Sequence, residues 1–116
     1  MAGGSDQQID YDLQERCGIT SSRWVREHSE VVDFQARYNK KQNKCVVYAT
    51  LAPMKSGNMY TSYHMVYEPN ANKILAQYTV RLGPNYEDRI CIVDGKVVDA
   101  VSEEKWKKIV TGLMEE

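Results

Sequence analysis

The chain has 116 residues, with 15 Lys and Arg against 16 Asp and Glu, for a net charge of −1. That length suits one domain with a modest core. The near balance of charge gives no global field to draw the molecule onto nucleic acid or anionic lipid, and no apolar run approaches the length of a membrane span.

The chain opens on MAGGSDQQ, which is small and polar. It lacks the apolar stretch after a basic start that marks a signal peptide. Residues 1–11 read as a disordered tail or a remnant of cloning, and 12–116 as a single domain. Asp12 and Glu15 have the spacing of a capping box. After them Leu13, Cys17, Thr20, Trp24, Val25 and His28 recur at steps of three or four, the pattern of one helical face over residues 12–28. Gly18 weakens that helix by ~1 kcal/mol relative to Ala.

From Val32 the period becomes two. Val32, Phe34, Ala36 and Tyr38 alternate with polar residues, and the polar stretch 39–43 leads into a second strand, 44–51. This predicts a hairpin. Residues 52–58, with Pro53 and Gly57, read as a loop. Strands follow at 60–68 and 74–82, separated by the turn Pro69-Asn70-Ala71-Asn72. Gly83-Pro84-Asn85 breaks the last of these. Segments 89–93 and 96–99 flank Asp94-Gly95, a dipeptide suited to a type I′ turn. Ser102 then caps a final helix whose stripe is Trp106, Ile109, Val110 and Leu113. The order predicts an α+β fold: an antiparallel meander of about five strands with an N-terminal and a C-terminal helix on one face.

Alternation then sorts the strand residues. Phe34, Ala36, Tyr38, Cys45, Val47, Ala49, Tyr63, Met65, Tyr67, Ile74, Ala76, Tyr78 and Val80 form the expected core face. The expected open face carries Arg37, Tyr48, His64 and Arg81 among small hydroxyls and amides. Arg and Tyr suit recognition of a protein, a peptide or a small ligand, so these four are the candidate binding residues. A plain solvated sheet face gives the same pattern.

No GxSxG, HExxH, P-loop or dinucleotide fingerprint is present. The reading is therefore of a protein that is not an enzyme and takes no cofactor. Cys17, Cys45 and Cys91 and the two histidines lack metal-ligand spacing, so no metal site is expected. Lys40, Lys41 and Lys44 fall in a hairpin loop without interleaved aromatics, so nucleic acid is not an expected partner. His28 ends a helical face beside Trp24 and reads as a packed or C-capping residue. A bond between Cys17 and Cys45 would tie helix to sheet, and two buried free thiols would look the same in sequence.

Three segments, ERCGITSSRWVREH, YNKKQNKCVVY and ICIVDGKVVDAVSEEKWKKIVTGLME, resemble those of small uncharacterised bacterial proteins that carry an export signal. The resemblance implies that Cys17 and Cys45 pair in an oxidising periplasm. It also implies a second cysteine pair in the terminal hairpin. This chain departs there, with Val97 and Val98 after Cys91. The expectation is a periplasmic or secreted, non-catalytic domain with a binding or structural role. The alternatives are a cytoplasmic accessory domain that dimerises through the open face, and a small enzyme with its site near His64.

Overall fold

The computed structural model describes residues 2–98 and 102–115. In chain order the elements are α1 (Ala2–Glu27), β1 (Val31–Asn39), β2 (Lys44–Leu51), β3 (Met54–Ser56), β4 (Met59–Glu68), β5 (Lys73–Gly83), β6 (Tyr86–Val93), β7 (Lys96–Val98) and α2 (Glu103–Glu115). The α+β class holds, with seven strands in place of about five. They form one open antiparallel sheet in the order β1-β2-β4-β5-β6-β7, while β3 pairs with β4 alone. The strand missed in sequence lies just past Pro53, which has no N–H for a ladder bond. There β2 ends and β3 takes over the same edge of β4.

Two hairpins use the same local device. Asn43 and Asn72 adopt positive φ, of 53° and 49°, at the ends of the β1–β2 and β4–β5 turns. Each side-chain oxygen accepts the hydroxyl of the tyrosine five residues earlier, Tyr38 and Tyr67. Asparagine tolerates this left-handed backbone because its short polar side chain can bond locally. Asp94 and Gly95 both have positive φ, as a type I′ turn requires.

The sequence placed both helices on one face. The structure puts them on opposite faces, and a single extra residue accounts for half of the error. Val66 pairs with Ala76 but Tyr67 pairs with Ile74, so Leu75 is a bulge. One inserted residue reverses the side-chain parity of everything after it. Ile74 therefore stays on the side of Tyr67, while Ala76, Tyr78 and Val80 cross to the side of Val46 and Val66. The other half of the error is β2, where Cys45, Val46, Val47 and Ala49 are all buried. Such a strand needs cover on both faces. One core gathers Val46, Val66, Ala76, Tyr78, Val80 and Cys91 under Trp106, Val110 and Met114 of α2. The other gathers Val47, Ala49 and Tyr67 under Trp24 of α1.

The predicted stripe of α1 holds, joined by the fully buried Ser21. The helix starts at Ala2, ten residues earlier than predicted from the Asp12 signal. Cys17 and Cys45 form a disulfide with their Cα atoms 5.2 Å apart, and the Ser21 hydroxyl lies 3.5 Å from the Cys45 sulfur, to which it can donate. Where α1 crosses the outer edge of the sheet, Gln14 acts like one peptide unit of a missing strand. Its amide nitrogen donates to Ala36 O at 3.5 Å and its oxygen accepts from Tyr38 N at 2.8 Å.

Ser102 caps α2 as expected, accepting Lys105 N at 3.2 Å, with Glu103 and Glu104 in the first turn. At the other end, the buried Asn39 donates to Leu113 O at 3.0 Å and accepts from Gln42 N at 3.0 Å. This satisfies a terminal carbonyl that has no partner within the helix. The end of the strand expected over 96–99 lies outside the described residues.

The disulfide closes a loop with a sequence separation of 28, which in the chain-entropy model stabilises by about 3–4 kcal/mol. Replacing both cysteines by alanine is expected to lower Tm by roughly 10–15 °C. Thermal unfolding followed by circular dichroism checks this, and an unchanged Tm would show that the bond constrains nothing.

Candidate binding surface

The first turns of α2 lie over the middle of the sheet, and Trp106 is their anchor. Its Nε1–H donates to the Tyr48 hydroxyl at 3.2 Å. Its ring stacks on Tyr78, with centroids 5.2 Å apart and planes at 18°. Strand register sets the next row. Thr50 pairs with His64 across β2 and β4, and His64 with Tyr78 across β4 and β5. The imidazole thus sits between two phenol rings, 6.4 Å from Tyr48 and 6.3 Å from Tyr78, and its Nδ1 lies 3.4 Å from Thr50 Oγ1. Arg89 of β6 closes the row. It donates to the Tyr78 hydroxyl at 2.7 Å and holds Glu87 through two nitrogens, at 2.9 and 2.7 Å.

His64 is half-buried, and that burial pushes its pKa below the usual histidine range; the Glu103 carboxylate at the start of α2 acts the other way. Thr50 and His64 make a hydroxyl–imidazole pair. A nucleophile–base pair also needs a third group to orient the base, and among the described residues none bonds the other ring nitrogen. Beside the pair, Asp33, Phe34, Gln35, Tyr48 and Thr50 line a groove of about 280 Å³. It offers acceptors, a carboxylate and an aromatic edge, a set suited to binding polar groups of an extended partner.

The four residues singled out in sequence are split. Tyr48 and His64 come together. Arg37 shares their strand-face parity but lines a different cleft, of about 500 Å³, with Tyr11, Gln14, Lys40 and Met114 at the outer edge of β1. Arg81 is on the opposite face, paired with Asp88 and Thr61. It belongs with Tyr63, Gln77 and Thr79 to the part of that face beyond α1. The face expected to be open is therefore half covered by α2, and the bare region lies on the other side. Tyr78 and Arg89 were missed as site residues because the Leu75 bulge decides their side.

Cys91 is a free thiol with no exposed surface. Burial raises its pKa, and Lys105 opposes the shift. Its cross-strand partner is Val98, so valine stands where the second bridge would need a cysteine.

Among the described residues no helix is long and apolar enough to cross a membrane, and no three His, Cys, Asp or Glu side chains gather to hold a metal. No known protein family, curated protein or solved structure matches the chain.

The lowered pKa of His64 has a definite sign in stability. The unfolded chain takes up its proton near pH 6.5, before the folded form does. Stability is therefore full above that pH and falls as pH drops through the lower folded value. Urea unfolding from pH 7.5 to 5 is expected to show a loss that His64→Gln reduces. An equal slope in both proteins would exclude His64 as its source.

Proposed function

We propose that the chain is a small, non-catalytic domain of a non-reducing compartment, periplasmic or secreted, with a binding role. The observation that carries the reading is the Cys17–Cys45 bond. Both residues are buried, at 2 % and 4 % exposure, and the bond joins α1 to β2, the strand next to the sheet's β1 edge. Disulfides of this kind persist where thiols are not kept reduced. A domain of this size gains much from such a staple, because its core is small. The export expected from the sequence resemblance agrees with that chemistry.

The binding part of the proposal rests on the groove beside His64. Asp33, Gln35, Tyr48 and Thr50 present polar groups from two adjacent strands. Tyr48 is braced by Trp106, and a ring held in place costs little entropy on binding. The partner class that fits is a protein or peptide segment with its own backbone donors and acceptors.

The test is a thiol count on protein purified without reductant from its natural host. One thiol under denaturant, with an intact mass two hydrogen atoms below the reduced form, is the expected result. Native Cys91 should react slowly, because it is buried. Three thiols under denaturant would overturn the assignment to a non-reducing compartment.

A further inference from the structure

A second cleft, on the α1 side and separate from the His64 groove, is built for a different ligand. It lies where α1 ends and the chain turns into β1. Trp24, Val31, Leu51, Met65, Tyr67 and Ile74 make its apolar walls, and His28, Glu30 and Asn72 complete its lining; the volume is about 280 Å³. That is room for one aromatic ring or a branched aliphatic side chain, at the small end of ligand sites.

The walls are held from behind. The Trp24 ring stacks on His28 and on Tyr67, with centroids 4.6 and 4.7 Å away. His28 Nδ1 lies 2.7 Å from Trp24 O. A carbonyl only accepts, so Nδ1 carries the proton, and when the ring is neutral its lone pair lies on Nε2. The Tyr67 hydroxyl is committed to Asn72. The His28 Nε2 and the exposed Glu30 carboxylate remain as acceptors that no other lining group engages. The lining contains no Lys or Arg to neutralise that carboxylate. One further group is unusual. Trp24 is only 9 % exposed, and its Nε1–H has no acceptor among the described residues. A buried indole N–H ordinarily finds one; an ammonium cannot supply it, whereas the carbonyl next to the ammonium in a peptide N-terminus or an amino acid amide is an acceptor.

We infer that this cleft binds a small apolar group bearing an ammonium, with the body against Trp24 and Tyr67 and the charge at Glu30 and His28. The apolar N-terminal residue of a peptide and a free arylalkyl amine share this chemistry. Glu30 disfavours a carboxylate in the same place, which sets free amino acids behind their amides. The inference does not rest on the compartment or on the His64 groove.

The protein reports on this cleft itself. It has two tryptophans, and their indole N–H groups differ: Trp106 is bonded to Tyr48 and Trp24 is unpartnered. In an ¹⁵N–¹H spectrum, phenylalaninamide is expected to shift the Trp24 indole signal saturably in the millimolar range and leave the Trp106 signal in place. N-acetylphenylalaninamide, which lacks the charge, and the exposed-site variant Glu30→Gln should each weaken binding about three- to tenfold. Phenethylamine separates the sources: binding equal to the amide means a free amine suffices, and weaker binding points to a peptide N-terminus. No saturable shift at Trp24, equal shifts at both indoles, or indifference to both acetylation and Glu30→Gln would each overturn the inference.

Discussion

The two-sided burial of β2 is the constraint on which the rest of the molecule depends. Within it, consecutive side chains point to opposite faces, yet Cys45, Val46 and Val47 are all shielded from water. An antiparallel sheet can leave one face wet; this one cannot, at least along β2. A helix is therefore needed on each side. The chain supplies one from before the sheet and one from after it, and each brings a tryptophan as its main wedge. The two helices are secured differently. A covalent bond holds α1, while α2 relies on Trp106 at one end and the Asn39 amide at the other.

The sequence signals that are legible are those that act locally. The I′ turn at Asp94-Gly95, the Ser102 cap and the apolar stripe of α2 depend on residues within one turn of each other. Helical and strand periodicity puts Cys17 and Cys45 on buried faces, a pattern that two free thiols share, and it is the resemblance that implies their pairing. What failed was parity over distance. Leu75 looks like any apolar strand residue, and nothing near it announces a bulge. Its insertion moved Tyr78 from the side of Met65 to the side of His64, and so changed which residues form a surface. The run CVV in β2 was the available signal for two covered faces, since an unbroken apolar stretch is what such a strand requires.

The candidate residues were scattered by the same cause. Tyr48 and His64 lie on directly neighbouring strands that share an uninterrupted register, and they remained together. Arg81 lies beyond the bulge and went to the other face. The spacing of His28 and Trp24 predicts helix packing, and both do pack. Their relation to Glu30 and Ile74 is a tertiary one, made by the return of the chain from α1 into β1, which no spacing rule describes.

The Gln14 amide has a consequence for how the molecule behaves among its own copies. A strand at the border of a sheet offers a ready template for another chain, and exposed Val32 and Phe34 on β1 would make it an attractive one. Gln14 fills two of the outward backbone positions with a side chain that cannot propagate, and the helix carrying it is stapled to β2 three residues further on. One segment of α1 thus serves as both rivet and stopper at the β1 edge.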